Sequence, residues 1–257
     1  MDLVPRENIY GHRQRLLWLR DHLQKEDRAV EFGCGTGRLI TIPLRAWGYD
    51  DVIGVDLDET SIAHGREVLE QEGLDPNALL TTDLRDVPGE LDAVIASEIL
   101  EHLDDEELRD SLAVIHEKLK PGGKLLVTTP NGYSLFELEN LLWYRTGVDR
   151  LYRRLRSGRV AGRLRGLKAS HSEWAAEDEP MTLADSPHKQ RFTWRSIHEH
   201  VDRAGFEVTE ARGAILFCGP FSDLAFSGLP RVMAANQRLG RRLPRAASDF
   251  YIAAVKR

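Results

Sequence analysis

A chain of 257 residues with 41 acidic and 35 basic side chains, net charge −6, is long enough to bury one large α/β core with an insertion; two separate domains are not needed. It has no run of 18 or more apolar residues, and Met1-Asp2-Leu3-Val4-Pro5-Arg6-Glu7 lacks the apolar core of a secretory signal, so the cytoplasm is the expected location. Two cysteines, Cys34 and Cys218, argue against a disulfide scaffold and for a reducing compartment.

In chain order, apolar residues at helical spacing from Ile9 to Leu23 predict an N-terminal helix capping the sheet or its ligand. Arg28-Ala29-Val30 then opens a buried strand. It runs into Glu31-Phe32-Gly33-Cys34-Gly35-Thr36-Gly37, where alternating glycines can take positive φ and admit a ligand against bare backbone. A helix over about 37–47 would present its first N–H groups to that ligand. The G-x-G-x-G spacing with an acid two positions earlier fits neither the dinucleotide fingerprint nor the phosphate loop. Glu31 would repel a pyrophosphate but favour a ligand carrying ammonium or sulfonium charge. Cys34 could act as a nucleophile, but a small loop side chain with no neighbouring base is the plainer reading.

Strands near 51–56, 78–82, 92–97 and 124–129 alternate with helices near 59–72 and 104–119, the rhythm of a parallel sheet covered on both faces. Asp58 or Thr60 can cap the helix near 59–72 and Gly73 can end it, while Pro121-Gly122-Gly123 breaks the one near 104–119. Such sheets bind ligands beyond the carboxyl ends of their strands, so Gly33, Asp56, Asp83 and Ser97 should converge at one edge.

The regular alternation stops at Ser134. Residues 135–144 predict a helix, and a basic block follows: Arg145 to Lys168 holds nine Lys or Arg and one acid, a local charge of +8. Interleaved with leucines and Tyr152, that block suits an anionic membrane surface, a phosphorylated lipid or a nucleic-acid backbone; it reads equally as a solvated helix face. Residues 134–192 are therefore expected to form a lid over the substrate. A capped helix from Thr193 to Val201, closed by Gly205, leads to a sixth strand near 207–216 and a seventh over Asp249 to Lys256, with 219–247 a partly basic excursion between them.

Glu31 to Gly37 resembles motif I of the class I S-adenosylmethionine-dependent methyltransferases, and Val52 to Asp58 resembles their second strand, which ends in an acid for the ribose hydroxyls. Thr81-Thr82-Asp83-Leu84 is similar to the segment that meets adenine, Leu91 to Ser97 to the fourth strand, and Pro121 to Pro130 to the turn into the fifth. The resemblance implies S-adenosylmethionine as cofactor, with Glu31, Gly33, Gly35, Gly37, Asp56, Leu57, Asp83, Leu84 and Ser97 at its site. It also implies a Rossmann-like seven-stranded sheet, mostly parallel with an antiparallel last strand, helices on both faces and a helical lid. The chain then divides into a cap (1–27), a cofactor half (28–133), the lid (134–192) and a closing segment (193–257) within one domain.

After strand four comes Glu98-Ile99-Leu100-Glu101-His102-Leu103. A helical turn there would set Glu98, Glu101 and His102 at i, i+3 and i+4, within reach of one divalent cation, Mg²⁺, Mn²⁺ or Zn²⁺. The same E-x-x-E-H run resembles O-methyltransferases of ubiquinone biosynthesis and those of the terminal ribose 2′-hydroxyl of small RNAs. Both also supply a later histidine, where this chain has His188 ahead of Arg191-Phe192-Thr193-Trp194. Glu98, Glu101, His102 and His188 are thus candidate metal ligands, with His102 or His188 a general base if no metal binds. The expected reaction is methyl transfer to oxygen of a small or lipid-linked acceptor. The alternatives are an RNA-terminal methyltransferase, supported by fewer residues and no evident RNA-binding module, and a catalytically silent cofactor-binding scaffold.

Overall fold

The computed structural model describes residues 3, 4, 7–147 and 187–257. Helix α1 (His12–Asp21) precedes β1 (Ala29–Phe32), α2 (Thr41–Ala46), β2 (Val52–Asp56), α3 (Glu59–Gln71), β3 (Leu79–Thr81) and β4 (Leu91–Ser97). Then come α4 (Asp105–Lys118), β5 (Leu119–Pro130), α5 (Leu135–Arg145), α6 (Trp194–Arg203), β6 (Phe206–Gly213), α7 (Pro220–Phe226), α8 (Pro230–Arg242) and β7 (Asp249–Lys256). The seven strands form one sheet in the order β3-β2-β1-β4-β5-β7-β6. Its strands come from both the 28–133 and the 193–257 segments, and only β7 runs antiparallel to its neighbours β5 and β6. The expected seven-stranded α/β sheet with one antiparallel strand is what the chain builds.

Strand alternation sorts the core into two layers. Val30, Val94, Ala96, Leu125 and Val127 pack with Leu108, Leu112 and Ile115 of α4 and with Ile197 and Val201 of α6 on one face. Ala29, Ala93, Ile95 and Leu126 pack with Leu16 and Leu19 of α1 on the other. Helix starts follow local chemistry. Asp58, rather than Thr60, caps α3 by accepting the Ser61 N–H at 3.0 Å, and Gly73 at φ 70° turns the chain out of it. Asp104 and Glu107 close a reciprocal capping box on α4, as do Thr193 and Ser196 on α6.

Three elements differ from the sequence expectation or fill it in. Helix α2 starts at Thr41, not near Gly37, because Pro43 lacks an N–H and sits comfortably only in a first turn. Pro121-Gly122-Gly123 lies inside β5 as a bulge: pairing with β4 jumps from Leu91–Leu119 to Ala93–Lys124, with Gly122 at φ 74° taking up the excess chain. The 219–247 excursion is two helices, α7 and α8. Of the expected lid, α5 and residues 187–192 are described; most of the basic block, residues 148–168, lies outside the described residues.

Candidate active site

Parallel strands β1, β2 and β4 deliver their carboxyl ends to one edge, where the order reverses between β1 and β4 and leaves a crevice. Gly33, Gly35 and Gly37 all occupy the left-handed region, at φ 69°, 53° and 69°. A Cβ on Gly33 would sit 2.6 Å from Ile99, and one on Gly37 would sit 2.6 Å from Leu79, so the loop is closely backed as well as bare. Behind it α3 approaches so closely that a Cβ on Gly65 would lie 2.3 Å from the Thr36 carbonyl oxygen. Gly65 had no distinguishing local pattern; it reads as one more residue on a helix.

Asp56 ends β2 facing this loop. Its Oδ2 accepts the Gly35 N–H at 2.7 Å and its Oδ1 accepts the Asp58 N–H at 2.9 Å. Each carboxylate oxygen keeps a further lone pair for a ligand hydroxyl. Leu57, beside it, is 72% exposed, an apolar side chain left at the crevice. Asp83 lies beyond β3 but is engaged locally: it caps the short turn Leu84–Asp86 through the Arg85 N–H at 2.8 Å and pairs with the Arg85 guanidinium at 3.1 Å. Leu84 turns its side chain into the core. Ser97 shares a hydrogen bond with Thr128 at 2.7 Å across β4 and β5.

Glu31, two residues before the first glycine, turns to the start of α2. It is buried, and its Oε2 accepts the Thr41 N–H at 2.9 Å and the Thr41 hydroxyl at 2.5 Å, tying the loop to the start of α2. Burial pushes its carboxyl up to about 7, against the lowering effect of the Thr41 bonds. Glu31, expected at the cofactor site, is engaged with the start of α2 in the fold. Cys34 is also a structural residue: burial and the nearby Glu31 carboxyl raise its thiol pKa well above the ordinary range, the reverse of an activated nucleophile.

The turn after β4 is tighter than an α-turn. Leu100–His102 is 3₁₀, and Glu98, at φ 54°, is the only non-glycine residue with positive φ among the described residues. Such a conformation costs about 1–3 kcal/mol and persists where neighbours fix it. Here the Glu98 N–H donates to Thr128 O at 2.8 Å, Oε1 accepts the Thr128 hydroxyl at 3.0 Å, and Oε2 lies 3.3 Å from the Arg15 guanidinium of α1. The expected i, i+3, i+4 face does not form, and Glu98 pairs with α1 instead of joining Glu101 and His102.

Glu101, His102 and His188 do come together. One ligand atom from each lies within 4.8 Å of the others, and the two imidazoles meet edge to face at 5.0 Å. Glu101 and His102 are buried, and Glu101 is aimed by the Thr129 hydroxyl at 3.1 Å. His188 is exposed but held near: the Glu101 carbonyl oxygen accepts the N–H groups of both Lys189 and Gln190 at 2.9 Å. Burial lowers the His102 pKa, with His188 adding to the effect, which favours the neutral, metal-binding imidazole. Burial raises the Glu101 pKa, with Glu98 as the second cause.

Arg15, Asp249 and Tyr251 were not singled out in the sequence. Arg15 is buried against Glu98, and Asp249, which opens β7, has its carboxyl pushed up to about 7 by burial and then by Glu98. Tyr251 is wholly buried, its hydroxyl turned toward the Arg15 side chain. An acid opening an otherwise apolar strand was the one available signal for Asp249. Arg15 had none, since its partner lies far along the chain.

A family model described as a methyltransferase domain matches residues 6–211. The ribosomal protein L11 methyltransferase of Thermotoga neapolitana is 34% identical over 103 residues, 40% of this chain and 38% of that protein. Its counterpart from Neisseria gonorrhoeae is 30% identical over 113 residues, 44% of this chain and 36% of that protein. The matched region thus spans under two-fifths of these curated relatives. Among solved structures, the Synechocystis PCC 6803 magnesium protoporphyrin IX methyltransferase with bound SAH superposes with TM-score 0.55 at 15% identity, covering 96% of this chain and 81% of that one. A possible histamine N-methyltransferase from Thermotoga maritima superposes with TM-score 0.53 at 17% identity, covering 96% and 89%. At such identities the superpositions speak to fold.

Proposed function

This chain belongs to the class I S-adenosylmethionine-dependent methyltransferase family, and from that premise we propose that it transfers the cofactor's methyl group to an oxygen of a small or lipid-linked acceptor, with a divalent cation held by Glu101, His102 and His188. The relatives' named substrates, a ribosomal protein and a porphyrin, differ from one another, so the acceptor class rests on the site. The observation that carries the reading is the convergence of three ligand-competent side chains within 4.8 Å at the edge that also carries the glycine loop.

The cradle suits the cofactor. Three alternating left-handed glycines leave no Cβ between ligand and backbone, Asp56 has acceptor capacity for the ribose hydroxyls, and exposed Leu57 offers apolar surface suited to a base. Asp83 and Leu84 would contribute through the backbone of their turn, since the one side chain is capping and the other is buried. When bound, S-adenosylmethionine supplies an already activated sulfonium methyl, so the protein's task is to align an acceptor and ease the loss of its proton.

The donor set also suits a cation. One carboxylate and two imidazoles suit Zn²⁺ or Mn²⁺ better than Mg²⁺, which favours oxygen ligands, and ligand atoms about 2.0–2.2 Å from a shared ion require an inward shift from the present spacing. His188, exposed on the segment leading into α6, is the group free to make it. A cation there would act as a Lewis acid toward an acceptor oxygen. Thr129 fixes the carboxylate, and the burial of Glu101 and His102 keeps water from that side of the site.

The test is a screen of hydroxylated metabolites and lipid-linked hydroxyl compounds with methyl-labelled cofactor, repeated after chelation. Label on oxygen, lost on chelation and restored by Mg²⁺, Mn²⁺ or Zn²⁺, is the expected result. Turnover indifferent to chelation but abolished in His102→Ala would replace the cation with a general base. Label confined to nitrogen or carbon acceptors would overturn the oxygen assignment.

A further inference from the structure

We propose that α5, α7 and α8 together form a docking face for an anionic membrane surface. Fourteen large hydrophobic side chains are exposed among the described residues, and ten of them fall within residues 138–144 and 221–243, on these helices and their immediate flanks. On α5, Leu138, Leu141, Leu142 and Arg145 stand at i, i+3, i+4 and i+7, one outward face. Helix α7 packs beside α5 through the edge-to-face contact of Trp143 and Phe221 at 5.0 Å and the Ser222 N–H donating to Glu139 at 2.9 Å. It presents Leu224 outward and runs through Leu229 into α8.

Helix α8 is amphipathic in the sense a membrane interface requires. It buries Met233, Asn236 and Gly240 on one side, while Arg231, Arg238 and Arg242 line the opposite side and Val232, Leu239 and Leu243 run along its flank. Between Leu224 and Ser248 there are five arginines and no acid, in a chain whose net charge is −6. None of the five forms an ion pair among the described residues. Charge complementarity therefore selects an anionic partner, and exposed leucines interleaved with the arginines select a lipid interface over a nucleic acid, whose phosphates offer leucine nothing.

The face is placed to matter. Helix α5 leaves the end of β5, and the excursion carrying α7 and α8 returns at Asp249, which pairs with Pro130 at that same end. Docking would bring the sheet edge that carries the glycine loop and Glu101 toward the bilayer. This deepens the lipid-linked reading of the acceptor, and its failure would leave methyl transfer itself untouched.

The experiment is co-sedimentation of the full chain with vesicles of phosphatidylcholine alone and of phosphatidylcholine mixed with phosphatidylglycerol, at low and high salt. Binding is expected only to the anionic vesicles and should weaken steeply with salt. Replacing Arg231, Arg238 and Arg242 with Gln should weaken it about a hundredfold, at about 1 kcal/mol for each arginine near the surface. Leu141→Glu should weaken it independently. Calorimetry with S-adenosylhomocysteine on the same preparations reports whether the variants are folded and whether the cofactor site stands apart from docking. No vesicle binding, equal binding to neutral vesicles, a triple variant that binds like wild type, binding to an RNA oligonucleotide instead, or a dimer that forms in place of vesicle binding would each overturn the proposal.

Discussion

Replacing Glu31 with Gln should make the protein more stable at alkaline pH. Glu31 is buried, and its carboxyl is pushed from the ordinary carboxylate range to about 7, mainly by burial. Because the folded state holds this proton more tightly than the unfolded chain, the stability it contributes is complete below about pH 4.5. It drains away as pH rises through about 7. A shift of that size corresponds to about 3 kcal/mol over the window. Gln is neutral throughout and keeps an oxygen for the Thr41 N–H, so the variant should lack this loss. Asp249 shifts in the same direction in both proteins and cancels in their difference. Urea unfolding at half-unit steps from pH 4.5 to 8.5 measures it: the wild type should lose about 3 kcal/mol relative to Glu31→Gln as pH rises. Parallel curves would show a carboxyl unshifted by folding, and a variant that falls behind with rising pH would show a carboxylate favoured as an anion; either refutes the reasoning.

Gly37→Ala combines a left-handed backbone, costing about 1–2 kcal/mol, with a Cβ 2.6 Å from Leu79; thermal unfolding should fall and cofactor affinity with it. Asp56→Ala removes the acceptor of the Gly35 N–H and the expected ribose partner, and calorimetry should show S-adenosylmethionine binding weakened by about 1.5–3 kcal/mol, roughly ten- to a hundredfold. Arg15→Ala leaves Glu98 and Asp249 facing each other without the buried cation and should destabilise the fold by about 3 kcal/mol in urea unfolding at pH 8, with less loss near pH 5, where Asp249 is protonated.

The cofactor edge was legible because its signals are local. Glycines at alternate positions, an acid closing β2, and Asp58 and Thr193 ahead of helical stretches each act within a few residues. The Glu98 turn was misread for the opposite reason. Its conformation is set by hydrogen bonds to Thr128 on the neighbouring strand and by Arg15 on α1, neither of which a helical spacing rule contains. The bulge at Gly122 was read as a simple break because proline and glycine punctuate a helix end and a strand bulge alike; only pairing with β4 and β7 tells them apart. Helices α7 and α8 carry a readable mark in the sequence, a proline at the first helical position of each.

The cation site is tested most directly by titrating Mn²⁺ and Zn²⁺ into the protein saturated with S-adenosylhomocysteine, with His102→Ala and His188→Ala alongside. Binding of one ion per chain that weakens as pH drops, and is lost in both variants while S-adenosylhomocysteine affinity holds, is the predicted result. No ion bound by the wild type, or ions bound equally by both variants, would contradict a site built from Glu101, His102 and His188.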